Sequence, residues 1–126
     1  MALKHGFKQM LAEANAAVKT IAVKDGVANV DEEGCLFVDI REAEERNQST
    51  IPGSVYVPQG FLEFHADPKS SAHNPELATD DRRVLFGAGG GRSSLAAKTL
   101  VDMEFHDVCR IAGAVAASPE AGGDTD

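Results

Sequence analysis

Residues 83–100 read RVLFGAGGGRSSLAAKTL. The apolar residues at the start predict a short buried strand, and the alanines and leucines after Arg92 predict a helix. Four of the five residues from Gly87 to Gly91 are glycine, so the backbone between strand and helix can turn several N–H groups towards one point. Those groups would lie at a helix N-terminus, which favours an anion, and Arg92 adds a positive charge. The expected anion-binding loop is Gly87, Ala88, Gly89, Gly90, Gly91 and Arg92.

The loop matches neither the phosphate loop that ends in Gly-Lys-Ser/Thr nor the dinucleotide fingerprint G-x-G-x-x-G. It also contains no nucleophile. Ser93 and Ser94 follow it, but the motif places no histidine base beside them. We therefore interpret both hydroxyls as hydrogen-bonding groups at the helix N-terminus.

The composition of the chain is that of a globular protein. Its 126 residues, 43% apolar and 25% charged, predict one domain. No apolar run approaches the roughly 18 to 20 residues of a membrane span, and the N-terminus shows no secretory signal, so we expect a cytoplasmic protein. The net charge of −8 disfavours nucleic acid or a membrane surface as a partner, because phosphates bind Lys and Arg.

Hydrophobic periodicity predicts alternating helices and strands. Apolar residues recur every three to four positions from Leu3 to Ile21 and predict an amphipathic helix that packs on the domain. The apolar run 35–40 is typical of a central parallel strand, and residues 51–53 (IPG) predict a type II turn. Shorter elements are expected as strands at 19–23, 54–57 and 107–111, and as helices at 24–30, 41–47, 61–65, 92–103 and from about Gly113.

Strands separated by helices predict a parallel sheet with helices on both faces. In such sheets, ligands bind beyond the carboxyl ends of the strands. Asp39 and Gly87 both come at such ends, so the turn that starts at Asp39 and the glycine loop are expected to face one crevice.

Several motifs resemble those of the single-domain rhodaneses, which are sulfurtransferases. Residues 36–45 (LFVDIREAEE) are similar to the first signature of that family, and residues 51–54 (IPGS) are similar to its Ile-Pro-Gly-Ala segment. The unit that ends at 90–93 (GGRS) resembles the active-site loop, and residues 111–113 (IAG) with 120–123 (EAGG) resemble the closing segment. The resemblance implies an α/β fold with a small parallel sheet of about five strands and helices on both faces.

The resemblance also implies a division of the chain. We expect residues 1–18 to form an N-terminal helix that docks on the domain, residues 19–123 to form the rhodanese-like domain, and residues 124–126 to form a disordered acidic tail. Three positions depart from the family pattern outside the loop. Arg46 replaces a usual aromatic residue, Glu104 stands where a helix-ending glycine is common, and Ser118 replaces the usual tryptophan near the end.

In rhodaneses the loop runs C-x-x-x-x-R and begins with the catalytic cysteine. The resemblance puts Gly87 in the place of that cysteine, with Arg92 as the last of the six residues. The family's thiolate takes a sulfane sulfur from thiosulfate or a persulfide and passes it to an acceptor, and glycine cannot form that bond. Related phosphatases and arsenate reductases have a loop one residue longer, so the six-residue loop favours sulfur chemistry.

The leading hypothesis is a domain that is defective in persulfide transfer, keeps an anion-binding loop and acts as a binding or regulatory module. The first alternative is an active sulfurtransferase that uses Cys35 or Cys109, although cysteine on a strand usually behaves as a small buried apolar residue. The second is a Cys-to-Gly substituted form of an active sulfurtransferase. The expected ligands are sulfate, thiosulfate, sulfite-like or other small anions, with no cofactor and no metal, and a protein partner is left open.

Asp39 and Arg41 are candidates for a supporting role. The family's Asp-x-Arg motif helps to tie the loops around the active site, and these two residues match it. A surface ion pair at a strand end would have the same sequence pattern, so both interpretations stay open at this point.

Overall fold

The computed structural model describes residues 3–22, 34–87 and 91–114. Within these ranges, helices and strands alternate along the chain. In order they are α1 (Phe7–Ala17), β1 (Lys19–Ile21), β2 (Cys35–Asp39), α2 (Ala43–Gln48), β3 (Val55–Tyr56), α3 (Leu62–Ala66), β4 (Arg82–Gly87), α4 (Arg92–Asp102) and β5 (Val108–Ala114), with 3-10 turns at Gln59–Phe61 and Pro75–Leu77.

The five strands form one parallel sheet in the order β1-β5-β4-β2-β3. β4 lies in the middle, where Leu85 is in register with Val38 of β2 and with Arg110 of β5. The parallel α/β architecture expected from the sequence is confirmed. All five carboxyl ends meet at one edge of the sheet, which is where a ligand site is expected.

The core lies on both faces of the sheet. On one face, Val38 and Leu85 pack with apolar residues of α3 and α4, among them Leu62 and Leu100. On the other face, a second buried cluster contains Phe37, Ile51, Val84, Phe86, Cys109 and Ile111. Burial on both faces explains why β2 and β4 read as nearly continuous apolar runs rather than as alternating patterns.

α1 packs on α4 through a narrow stripe. Ala14 is fully buried, and Ser94 Oγ of α4 donates a hydrogen bond to Asn15 Oδ1 of α1 (2.5 Å). Ser94 therefore bonds to a neighbouring helix, and its interpretation as a hydrogen-bonding group for its own helix terminus is wrong. Phe7 and Met10 remain about half exposed, so the apolar face of α1 is covered only in part.

The connection from α2 to β3 is built by local hydrogen bonds. α2 begins at Ala43, later than the expected start, because Glu42 and Glu45 form a capping box that satisfies backbone N–H groups on both sides. At the end of the connection, the Ser54 N–H donates to the Ile51 carbonyl (3.1 Å) and Gly53 has φ 82°. These features confirm the expected type II turn.

Three expected segments lie wholly or partly outside the described residues. β5 continues to Ala114, so a helix does not begin at Gly113. The rest of the expected terminal helix, the tail 124–126 and the weak helix at 24–30 lie outside the described residues.

Candidate functional site

Gly87 is the last residue of β4 and lies buried beside the start of α4. A Cβ added at this position would lie 3.6 Å from the Ser93 nitrogen and 3.7 Å from Arg92 Cβ. Its nearest neighbour would be the terminal methyl of Ile40 at 3.3 Å, which a change of rotamer can move. Position 87 therefore faces the N-terminus of α4, where free backbone N–H groups favour negative charge.

Gly91 immediately precedes α4 and has φ 88°, a conformation that glycine adopts without strain. Leu11 of α1 packs closely against it, since an added Cβ would lie 2.7 Å from Leu11 Cδ1. The backbone conformation thus favours glycine here, and a larger residue would also have to displace the end of the Leu11 side chain. The other members of the expected loop, Ala88, Gly89 and Gly90, lie outside the described residues.

Arg92 binds Glu45 of α2 through both terminal nitrogens of its guanidinium. Nη1 donates to Oε2 (2.9 Å) and Nη2 donates to Oε1 (2.8 Å). The hydrogen bonds from Arg92, followed by the backbone N–H of Glu42, lower the pKa of Glu45 to about 2, so this carboxylate is charged at neutral pH. The positive charge expected beside the loop is therefore balanced by a negative one.

Asp39 and Arg41 form a buried ion pair at the carboxyl end of β2, with 0% and 4% of their side chains exposed. Arg41 Nε donates to Asp39 Oδ1 (2.9 Å), and Nη2 donates to Oδ2 (3.0 Å). Nη2 also donates to the Ser49 carbonyl. The interpretation of these residues as a surface pair is wrong, because the pair is enclosed by the segment that follows α2.

Arg46 and Thr50 complete the surroundings of Asp39. Arg46 Nη1 and Thr50 Oγ1 donate to Oδ2 at 3.1 and 2.9 Å, and Arg46 Nη2 donates to the Ser54 carbonyl (2.9 Å). Burial acts to raise the pKa of Asp39, but the hydrogen bonds and charge of Arg41, with the Thr50 hydroxyl, outweigh it and hold the pKa below its usual value. Through these charge-assisted hydrogen bonds, the Asp39 carboxylate helps to hold the 49–54 segment in place.

The two cysteines lie towards the amino ends of the strands, away from Gly87. Cys109 is in register with Val84, three residues before Gly87 on β4, which corresponds to about 10 Å along the strand. Cys35 is in register with Arg82, five residues before Gly87, or about 16 Å. Burial raises the pKa of Cys109, which disfavours its thiolate.

Sequence reasoning missed two residues that shape this region, Glu45 and Leu11. Glu45 stands 47 positions before Arg92, and no local spacing connects them. The spacing of Glu42 and Glu45 is that of a capping box and could have placed an acidic residue at the start of α2. No comparable signal marks Leu11 as the neighbour of Gly91.

A parallel sheet whose middle strand ends at Gly87 and is followed by a helix from Arg92 defines an α/β domain with a ligand site expected at the strand ends. The family of this domain follows from comparison with known proteins. The model of the rhodanese-like domain matches residues 22–117. The chain belongs to the rhodanese-like domain family, and the family resemblance found in the sequence is confirmed.

Solved structures share the fold of this chain. RPA3614 of Rhodopseudomonas palustris, described as a protein of unknown function and possible tyrosine phosphatase, is 37% identical over 100% of this chain and 98% of its own, with a TM-score of 0.93. The human single-domain sulfurtransferase TSTD1 shares the fold, with 21% identity over 82% of this chain and 96% of its own and a TM-score of 0.68.

A curated relative is longer than this chain. The putative sulfur carrier protein YrkF of Bacillus subtilis is 29% identical over 100 residues, which are 79% of this chain and 50% of YrkF. The chain thus spans about half the length of that protein. Among the described residues, no helix is long and apolar enough to cross a membrane.

Proposed function

We propose that this chain is a rhodanese-like domain that does not transfer persulfide sulfur and instead serves as a binding or regulatory module for a small anion. The observation that carries the proposal is that residue 87, which the family resemblance puts in the place of the catalytic cysteine, is glycine. In the family reaction, the thiolate attacks the outer sulfur of thiosulfate, sulfite leaves, and the resulting Cys-S-S⁻ passes its sulfur to an acceptor. Glycine offers no atom for the first bond.

The surroundings of Gly87 support the interpretation that only the cysteine side chain has been lost from the site. A Cβ there has ordinary van der Waals distances to the start of α4 and one tight contact, with the flexible end of Ile40. A cysteine sulfur would therefore reach the N-terminus of α4, where the helix dipole and N–H groups stabilise a thiolate. These distances support the proposal that position 87 could hold the family's nucleophile, which is missing from this chain.

The alternative of catalysis by another cysteine receives no support from the geometry. Cys109 is buried, its pKa is raised, and it lies about three residues of strand away from the loop. Cys35 lies still further towards the amino end of β2. Both thiols lie towards the amino ends of their strands, whereas α2 and α4 begin after the carboxyl ends of β2 and β4.

The proposed ligand is a small oxyanion such as sulfate, thiosulfate or a sulfite-like ion. α4 supplies backbone N–H groups at its N-terminus, and Arg92 stands beside them. The description of RPA3614 as a possible tyrosine phosphatase adds phosphate to the anions worth testing. A phosphatase that acts through a thiolate at position 87 would lack its nucleophile in the same way.

We place the module in residues 19–123, with the helix of residues 1–18 docked on it and the tail 124–126 outside it. A cytoplasmic location is part of this proposal. A role connected with sulfur metabolism follows from the family and from relatives described as sulfurtransferase and sulfur carrier.

The proposal is tested by a thiosulfate-to-cyanide assay on the wild-type protein and on Gly87→Cys. We expect no turnover above the blank for the wild type, and activity at least about a hundredfold higher for Gly87→Cys, because only the nucleophile is restored. Gly87→Ser is the matched control, with similar size and no sulfur, and should stay at the blank. An inactive Gly87→Cys would mean that the pocket has changed as well.

Mass spectrometry after thiosulfate treatment gives a second readout. The wild-type protein should gain no sulfur on Cys35 or Cys109, whereas Gly87→Cys should gain one sulfur that cyanide removes. A cyanide-sensitive persulfide on either native cysteine, together with wild-type turnover, would contradict the proposal and favour an active enzyme.

A further inference from the structure

Five large apolar side chains are exposed among the described residues, and they fall into two groups. Leu3, Phe7 and Met10 belong to α1 and the residues before it, and Phe61 and Phe64 lie at the start of α3 and within it; between 47% and 67% of each side chain is exposed. Single exposed apolar residues are common, but groups of this kind mark interaction surfaces.

A groove reaches from Met10 of the first group to Gln59, which lies two residues before Phe61 of the second. Both α1 and α3 contact α4, and the outer side of α4 forms part of the groove wall. The groove has a volume of about 330 Å³, and its lining includes Met10, Glu13, Gln59, Leu95, Lys98 and Thr99. The apolar groups and the groove therefore form one surface, which we call the α1–α3 surface.

The two sides of the α1–α3 surface carry opposite charges. Lys4 and Lys8 are exposed next to Phe7 on the α1 side, whereas Glu63 is exposed between Phe61 and Phe64 on the α3 side. Along the groove itself, Lys98 forms an ion pair with Asp102, and His5 Nε2 lies within hydrogen-bond distance of Glu13. A basic apolar side and an acidic apolar side thus lie on the same molecule.

We infer that the α1–α3 surface binds a second copy of this chain, with α1 of each copy against α3 of the other. A two-fold axis uses the same patch on both molecules. Such a dimer would contain two equivalent contacts, each between Lys4 and Lys8 of one copy and Glu63 of the other. It would also cover all five exposed apolar side chains on each copy. The charge arrangement is therefore self-complementary.

The area of the surface predicts a weak dimer. Five side chains of this size, each about half exposed, present about 450 Å² of apolar surface per molecule. Two copies would bury about 900 Å² of apolar surface, and the surrounding polar residues would add to this area. The total is at the lower limit of specific interfaces. We expect a dissociation constant of about 10–100 µM. A lipid surface fits less well, because the exposed Glu63 on the α3 side would face anionic headgroups, which repel it.

Sedimentation equilibrium from about 5 µM to about 1 mM protein spans that range of affinity. At about 150 mM salt, repulsion between distant charges is largely screened. The wild type should show a monomer–dimer equilibrium, and Phe61→Ser/Phe64→Ser should weaken it at least tenfold, because half of the apolar area is lost. Both positions are exposed, so we expect this variant to fold, which circular dichroism will check.

Charge reversal tests the proposed arrangement. Lys4→Glu/Lys8→Glu and Glu63→Lys should each dimerise more weakly than the wild type, because like charges would then face each other. An equimolar mixture of the two should dimerise more strongly than either alone, since every facing pair is again of opposite sign. Glu44→Lys, at an exposed position of α2, is the control for net charge and should leave the dimer unchanged.

Three results would overturn the inference. One is a wild type that stays monomeric up to about 1 mM, including the case in which the monomer sediments with vesicles of anionic lipid. Another is a dimer that Phe61→Ser/Phe64→Ser does not weaken, because the interface would then lie elsewhere. The third is a mixture of charge variants that associates no better than its components.

Discussion

Arg92 is the one charged side chain of the proposed anion site, and Glu45 holds it with two hydrogen bonds. The carboxylate competes with any anion for the same guanidinium. An anion at the N-terminus of α4 must therefore bind mainly through backbone N–H groups, unless it displaces Glu45. Loss of the Glu45 charge should strengthen anion binding, whereas loss of the Arg92 charge should weaken it.

We expect sulfate to raise the melting temperature of the wild type by a few degrees, as any ligand of the folded state does. Glu45→Gln should enlarge this sulfate-dependent shift, because it removes the competing charge, and Arg92→Ala should reduce it. Differential scanning fluorimetry at several sulfate concentrations measures the shifts. Arg82→Ala, which breaks an ion pair with Asp107 at the amino end of β4, is the control. Equal shifts in all four proteins would argue against a site at the loop.

Asp39 is a residue whose charge the fold requires. It is fully buried and accepts hydrogen bonds from Arg41, Arg46 and Thr50. Removing the charge leaves the buried Arg41 without its counterion, which costs more than the pair itself contributes.

Asp39→Asn should therefore lower the free energy of unfolding by about 3 kcal/mol. Urea denaturation followed by circular dichroism measures the change. Asp107→Asn removes one member of an exposed ion pair with Arg82 and should cost less than about 1 kcal/mol. A small effect of Asp39→Asn would mean that the surrounding hydrogen bonds suffice without the charge.

At the scale of elements, the end of α4 shows a conflict between sequence and backbone. The Phe105 N–H donates to the Leu100 carbonyl and the Glu104 N–H donates to the Val101 carbonyl, which is the Schellman motif. This motif places Glu104 in the left-handed region, at φ 70°. A side chain there costs about 1–2 kcal/mol relative to glycine, which explains why the family commonly has glycine at this position.

Glu104→Gly should stabilise the protein by about 1 kcal/mol and raise the melting temperature by about 3–6 °C. Glu104→Ala is the matched control, since it removes the carboxylate but keeps Cβ, and should give no such gain. Calorimetry on the three proteins decides the matter. If alanine stabilises as much as glycine, the cost comes from the charge of Glu104 rather than from its backbone conformation.

α1 is shorter than the predicted helix of residues 1–18, since it begins at Phe7 and ends at Ala17, where Val18 is extended and leads into β1. Its apolar positions predicted an amphipathic helix whose apolar face packs on the domain. Only part of the face meets α4. The remaining apolar side chains belong to the α1–α3 surface, for which we infer a second molecule as the partner.

For the molecule as a whole, the carboxylates of Asp39 and Glu45 link β2, α2 and α4, and their pKa values predict how the stability responds to acid. Glu45 has a pKa of about 2 in the folded protein, against an ordinary value of 4.5, and the pKa of Asp39 is also lowered. A group whose pKa is depressed by folding stabilises the protein above its unfolded pKa and loses that contribution as the pH falls through its folded pKa. The stability should therefore decrease between about pH 4.5 and pH 2.

The free energy of unfolding, measured by urea denaturation at pH 7, 4.5 and 3, should be similar at the first two values and lower at the third. In Glu45→Gln the decrease from pH 4.5 to pH 3 should be smaller, because one of the titrating groups is absent. An unchanged pH dependence in this variant would show that the Arg92–Glu45 pair contributes little to stability, as exposed pairs often do.

Much of the fold could be predicted from the sequence because the relevant signals are local. The apolar runs of β2 and β4, the turn at Pro52-Gly53 and the helix after Arg92 each depend on a few neighbouring residues. The partner of Arg92 could not be predicted in this way. Glu45 is brought to it only when α2 and α4 both pack near the carboxyl ends of the strands.

The sequence by itself determined the order of strands and helices, the family, and the glycine at position 87, because periodicity, turn chemistry and residue identity are properties of the chain alone. The tertiary structure decided which charges are buried and paired, with Asp39 enclosed and Arg92 neutralised. It also decided which apolar residues of α1 and α3 remain exposed. Both depend on the packing of segments distant in the chain, which no local pattern records.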